Sequence, residues 1–412
     1  MDRIYTLTNG VRIIHKQVPE SVIAHCGFML DIGSRDEQKH QYGIAHFLEH
    51  MLFKGTRKRK SFHILNRLEA VGGELNAYTT KEKICVYGSV TNAHLERAIE
   101  LLTDITFYST FPEKEISKER SVILEEMAMY QDSPEDSIHD ELEALLFKNH
   151  SLAHNILGSA KYISSFTVED FRNFLQENIS TDKIVFTCVS SHSPERVWQL
   201  CEKYISPVRK HISAKKRKKF AARHQPVTVQ KNKPISQAHC IMGRTCYSLA
   251  DDERLPFFMI NTLIGGPGMS SRLNLALRER KGLVYSVESN FQPLTDTGIF
   301  SIYFATDKKN IERCKEEIYK ELKVLKSSPL SNVQLTRLKE QVKGMIAIAA
   351  ESNQAYMQAQ AKSLLDHGYI ETLPEIFKKI DTVSTQDLHH VINDALNDES
   401  SFTQLTYYPI NS

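Results

Sequence analysis

His46, Glu49 and His50 stand in the stretch Tyr42-Gly-Ile-Ala-His-Phe-Leu-Glu-His-Met-Leu-Phe-Lys-Gly55, whose apolar spacing predicts a short helix. Side chains four apart on a helix lie one above the other, so both imidazoles can reach one metal ion, and Glu49 shares their face. Two neutral imidazoles that bind zinc, beside a carboxylate that acts as general base toward an attacking water, form the His-Glu-x-x-His arrangement in reverse order. The same spacing also suits two histidines on a half-buried helix without a metal. A third ligand decides between these readings, because a catalytic zinc takes three protein ligands and keeps one position open.

The segment Glu119-Arg-Ser-Val-Ile-Leu-Glu-Glu-Met127 supplies the best source of that ligand. Pro112 opens the segment and Ser133-Pro134 closes it, which predicts one helix. Glu119 and Glu126 fall two turns apart on one face, while Glu125 is rotated away by about 100°. One of the two aligned carboxylates can bind zinc while the other orients the site from behind. A solvated acidic stripe is the alternative.

The words around these residues are specific: Gly33-Ser34-Arg35, Gly43-Ile-Ala-His-Phe-Leu-Glu-His-Met-Leu-Phe-Lys-Gly-Thr56, Gly73-Glu-Leu-Asn76-Ala77-Tyr78-Thr79, Met269-Ser-Ser-Arg-Leu273 and Gly282-Leu-Val-Tyr285. Over nearly its whole length the chain resembles the pitrilysin-like metallopeptidases, the family of mitochondrial processing peptidase and insulin-degrading enzyme. Its length is similar to that of the half-sized members, among them the processing peptidase catalytic subunit and bacterial zinc processing peptidases. The resemblance implies one zinc per chain on His46, His50 and Glu126, with Glu49 as the base and Glu119 supporting the ligands. It implies that Asn76, Ala77 and Tyr78 form a strand edge on which a peptide docks, and that Arg278 and Tyr285 hold the substrate backbone. Read without the resemblance, Arg278 and Tyr285 are an ordinary exposed helix arginine and a strand tyrosine. The substrates so implied are unfolded peptides or presequence-like segments enclosed in a chamber. In the double-length relatives the zinc belongs to the first of four domains and the Arg and Tyr pair to the fourth. Two copies of this chain would then form a homodimer with composite sites, and a heterodimer with a related chain is the other arrangement.

Composition and pattern bound the rest. At 412 residues and 41% hydrophobic, the chain has room for two domains. A net charge of +2 gives no field for a polyanion, which argues against nucleic acid as a partner. Seven scattered cysteines without a Cys-x-x-Cys make a disulfide framework improbable and fit a reducing compartment. The first residues carry no apolar signal core, and no apolar run approaches the roughly 20 residues of a membrane span; the expectation is a cytoplasmic protein without a membrane partner. A catalytically dead scaffold or peptide-binding subunit stays open as a class, although the His-x-x-Glu-His residues are intact.

The elements read as an α/β (α+β) fold of two similar tandem domains, each a mostly antiparallel sheet flanked by helices. Residues 4–17 form a hairpin at Asn9-Gly10, and residues 25–31, 75–78, 84–90 and 183–190 are extended. Helices follow the Gly72-Gly73 break at 93–108 and 112–131, and further ones start at Ser133-Pro134 and at Thr167-x-x-Asp170. His150 and His154 are expected to be loop histidines without a metal, since no glutamate stands beside them in sequence. The second half echoes the first: Ala24-His25-Cys26 returns as Ala238-His239-Cys240, and Thr167-Val-Glu-Asp-Phe171 as Ser384-Thr-Gln-Asp-Leu388. Residues 1–205 are the expected catalytic domain, 206–230 a linker with the basic run Lys215–Lys219, and 231–412 the homologous inactive domain that contributes Arg278 and Tyr285. In that second copy Leu255-Pro-Phe-Phe-Met-Ile-Asn-Thr-Leu263 holds neither histidine nor glutamate where the zinc motif would recur.

Overall fold

The computed structural model describes residues 3–221, 225–396 and 399–410. The hairpin expected at Asn9-Gly10 is formed, with Gly10 at φ +98° where a side chain would be strained, joining β1 (Arg3–Thr6) to β2 (Arg12–Gln17). With β3 (Ile23–Leu30), β4 (Glu74–Thr79), β5 (Ile84–Thr91) and β6 (Ile184–Ser190) they make a six-stranded sheet in the order β1-β2-β6-β3-β5-β4. The second sheet contains β7 (Thr228–Lys233), β8 (Ala238–Cys246), β9 (Val287–Pro293), β10 (Gly298–Thr306) and β11 (Thr403–Pro409), ordered β7-β11-β8-β10-β9. Each sheet is antiparallel except for one pair, β2 with β6 and β7 with β11. Strand for strand the second sheet repeats the first without β1, so the echoed Ala-His-Cys words occupy matching central strands β3 and β8.

The first half supplies helices α1 (Ile44–Leu52), α2 (Ser61–Glu69), α3 (Leu95–Phe107), α4 (Glu113–Asp132), α5 (Pro134–Leu146), α6 (Ala160–Ile163), α7 (Val168–Asn178) and α8 (Pro194–Tyr204). The second supplies α9 (Arg254–Gly265), α10 (Ile311–Ser327), α11 (Asn332–Glu351), α12 (Asn353–His367), α13 (Leu373–Thr382) and α14 (Thr385–Ala395), with a π-helical turn at Asn274–Glu279. Their starts are set by the residues that the sequence singles out. Ser133 accepts the Asp136 N–H with Pro134 in the first turn, and Thr167/Asp170 and Ser384/Asp387 form capping boxes at α7 and α14. Among the described residues no helix is long and apolar enough to cross a membrane.

The chain divides into two compact units, residues 1–128, 154–218 and 348–371 against 129–153, 219–347 and 372–412. The passage at 218/219 falls inside the expected linker, but the division expected at 205 and 231 omits a trade. Helix α5, from the first half, belongs to the second unit, and α12, from the second half, belongs to the first. In the first unit, Phe28, Phe47, Ile99 and Phe171 build the core on one face of the sheet. Ala361 and Leu364 of α12 cover Ile14, Met29 and Val185 on the other. In the second unit, Phe257, Phe300 and Ile318 fill one face, and Leu142 and Leu146 of α5 cover Ile241 and Leu405 on the other. All seven residues of β6 are buried, as a strand covered on both faces requires.

The basic run is tied down. The Arg217 guanidinium, on the first unit, bonds both carboxylate oxygens of Asp36, Oδ1 of Asp31 at 2.8 Å and the Glu82 carbonyl at 2.8 Å. Lys83 adds ion pairs to Asp31 and to Asp366 of α12, each at 2.8 Å. Part of the expected linker is therefore a clamp across loops of the first unit.

Candidate metal centre

Helix α1 buries Ile44, Ala45, Phe47, Leu48, Met51 and Leu52 in the core, which turns His46, Glu49 and His50 to the opposite side. The two imidazole rings are 4.7 Å apart. Helix α4 buries Ile116, Glu119, Ile123 and Met127, and the same phase leaves Glu126 half-buried and Glu125 exposed. The Glu126 oxygens lie 3.7 Å from His46 Nε2 and 3.5 Å from His50 Nε2, and one ligand atom from each residue falls within 4.8 Å of the others.

Hydrogen bonding fixes what these atoms are. His50 Nδ1 lies 3.1 Å from Glu119 Oε2, and Glu119 Oε1 accepts from Lys54 Nζ at 2.6 Å. Burial pushes the Glu119 carboxyl up, but the hydrogen bonds and charges of His50 and Lys54 outweigh it and hold it below its usual range. An ionised Glu119 accepts a hydrogen bond from His50 Nδ1–H, so Nε2 turns its lone pair toward Glu126. Burial, and next the neighbouring His50, lower the His46 imidazole to about 3, so it is neutral. The His50 Nε2 lone pair and the Glu126 carboxylate then face each other across 3.5 Å with no hydrogen between them, beside His46 Nε2, an approach that a cation relieves. The donor set, two imidazoles and a carboxylate, fits zinc.

Glu49 accepts from Thr79 Oγ1 at 2.6 Å. Burial raises its pKa above the ordinary carboxyl range, against the smaller downward pull of Thr79 and His50. Thr79 ends β4, the edge strand that carries Asn76, Ala77 and Tyr78 and, among the described residues, pairs only with β5. Asn76 is exposed, whereas Ala77 and Tyr78 are half-buried. Arg278 and Tyr285 belong to the second unit. Arg278 sits on the π-helical turn, 5.6 Å from the centre of the Tyr285 ring, which is 81% exposed. Tyr285 lies in the segment before β9 rather than in a strand, because Gly282 at φ +56° and the bond from Leu283 N–H to the Leu277 carbonyl end the helical turn.

Four residues around the site, Lys54, Thr79, Glu37 and His154, have roles that escape the sequence reading. Lys54 and Thr79 are ordinary surface types whose partners lie far along the chain. His154, expected as a loop histidine, stands in a loop, and its Nε2 lies 2.7 Å from Glu37 Oε2, across 117 residues of sequence. No spacing rule reaches that far.

Residues 12–160 match the family model described as Insulinase (Peptidase family M16), and residues 165–342 match the Peptidase M16 inactive domain. The uncharacterized zinc protease YmxG of Bacillus subtilis is 33% identical over 386 residues, spanning 94% of this chain and 93% of its own. An uncharacterized zinc protease of Rickettsia felis is 30% identical, over 95% and 94%. The chain belongs to peptidase family M16. Among solved structures it resembles a protease from Helicobacter pylori, with a TM-score of 0.91 at 20% identity over 99% of both chains. A peptidase M16 inactive domain from Pseudomonas fluorescens gives 0.90 at 18%, over 100% and 99%.

Proposed function

We propose that this chain is a zinc-dependent endopeptidase acting on unfolded peptides, with its catalytic residues in the first unit. The observation that carries this reading is the convergence of His46 Nε2, His50 Nε2 and the Glu126 carboxylate, with the His50 tautomer fixed by Glu119. Names given to relatives in the family, zinc proteases of Bacillus and Rickettsia, support it. Zinc, when bound, supplies Lewis-acid polarisation of the scissile carbonyl and acidifies the attacking water.

The chain's own residues do the rest. Glu49, raised toward neutrality by burial, accepts the proton of the attacking water and hands it to the leaving amine. Thr79 holds that carboxylate in place from the end of β4. The free side of β4 offers backbone N–H and C=O groups to an extended peptide, a mode that reads main chain more than side chains and so favours unfolded substrates of loose sequence. Arg278 and Tyr285 bind substrate backbone, from the partner copy if two chains make composite sites. Digestion of a mixed peptide library, read by mass spectrometry with and without chelator, tests the reading. Internal cleavages that vanish with chelator and return with zinc are expected, at about one zinc per chain; a zinc-loaded protein that cuts nothing overturns it.

A further inference from the structure

Helix α1 is fixed at its N-terminus by groups from two distant parts of the first unit. The Glu37 side chain, fully buried, accepts the Gly43 N–H at 2.9 Å on one oxygen and the Ala45 N–H at 2.8 Å on the other. His154 Nε2 approaches the first of these oxygens at 2.7 Å, and its ring stacks on Tyr42 with centroids 3.8 Å apart and planes 9° from parallel. His154 Nδ1 is buried without a hydrogen-bond partner. An imidazolium would bury an unmatched N–H there, so the ring donates to Glu37 as the neutral Nε2–H tautomer.

The backbone shows the same attachment. Gly43 at φ +100° and Gly158 at φ +79° lie back to back. A Cβ on Gly158 would stand 2.2 Å from the Tyr42 carbonyl oxygen, and one on Gly43 would stand 2.7 Å from the Leu157 carbonyl oxygen. The His154 carbonyl in turn accepts from Lys81 Nζ at 2.5 Å, in the turn between β4 and β5. A carboxylate at a helix start is by itself a stabilising cap. Here the capped helix carries His46 one residue beyond Ala45 and His50 one turn later, so any rotation of its first turn moves both imidazoles relative to Glu126.

We propose that Glu37 and His154 are positioning residues of the metal centre: the imidazole-held carboxylate sets the direction of α1 and thereby the spacing of its two ligand nitrogens from Glu126. The proposal rests on the peptidase reading only for its kinetic readout, because zinc affinity can be measured without a substrate. His154→Phe keeps the ring on Tyr42 but removes the donor, whereas His154→Gln keeps an N–H near the position of Nε2. Glu37→Gln turns an amide toward groups that are all donors.

Zinc affinity by competition with a chromophoric chelator is expected to fall about 10-fold in His154→Phe and Glu37→Gln and to stay within 2-fold of wild type in His154→Gln. On a cleaved peptide, kcat should drop in parallel with KM little changed. Leu200→Ala, a core variant on α8, controls for general destabilisation: its melting temperature falls without a change in zinc affinity. Wild-type zinc affinity in His154→Phe, or an equal loss in His154→Gln and Leu200→Ala, overturns the proposal. A wild-type protein that binds zinc but cleaves nothing sinks the peptidase reading instead and leaves the affinity comparison to judge this one.

Discussion

At the scale of single residues, the roles around the zinc site separate by what each substitution removes. Glu49→Gln keeps shape and both histidines but cannot take a proton, so hydrolysis should fall by about two to four orders of magnitude while zinc content, read by atomic absorption, persists. Near-normal turnover in that variant would remove Glu49 from the mechanism. Glu126→Gln should lose zinc to a chelator far more readily than Glu125→Gln, because Glu125 is exposed and turned away. Lys54→Met strips a cation from Glu119 and should weaken zinc binding about 10-fold through the loosened His50 ring; unchanged affinity would limit Lys54 to the surface. Helix phase in the sequence puts His46 with His50 and Glu119 with Glu126 on common faces, whereas bringing the two helices together came only from the family resemblance. Lys54, Thr79, Glu37 and His154 were not legible, since each acts through a partner that only the folded chain brings near.

At the scale of elements, the loops that bracket the site are held by charge. Burial pushes the Asp31 carboxyl up, but Arg217 and Lys83 outweigh it and hold it below its usual range. The same balance, with Lys83 as the main cation, depresses Asp366. A carboxyl whose folded pKa is depressed contributes stability above its unfolded value, about pH 4, and loses it as pH falls through the folded value. Arg217→Met removes the larger cation from Asp31, so its carboxyl should protonate at higher pH. The acid-unfolding midpoint, followed by circular dichroism, should rise relative to wild type; an unmoved midpoint would mean that the clamp carries no stability. The sequence offered Lys215–Lys219 as a basic run between prolines, and nothing local distinguishes a solvated arginine from one that reaches Asp31 and Asp36 more than 180 residues earlier. Hairpin, caps and strand positions were legible because turn glycine, Ser-Pro and capping-box words act over a few residues.

At the scale of the whole molecule, two similar α/β domains were legible from echoed words, whereas the trade of α5 and α12 was not. Periodicity says that a helix has an apolar face but not which sheet receives it. Composite sites, if two copies complete each other, make a sharp prediction. Glu49→Gln and Arg278→Ala should each be nearly inactive alone, yet co-expression should restore roughly a quarter of wild-type activity, since half of randomly paired dimers hold one intact site. No recovery would mean that each site is completed within its own chain. The trade also bears on how such a chain can change over generations. A break between Lys218 and Lys219 would strip α12 from Ile14, Met29 and Val185 and α5 from Ile241 and Leu405, leaving each fragment with a bare apolar sheet face. Made separately, the two fragments should aggregate, and made together they should stay in solution. The half that matches the inactive-domain family model is thus no spent duplicate open to deletion: each copy wears a helix encoded by the other, so they can diverge in chemistry but can only be inherited as a pair.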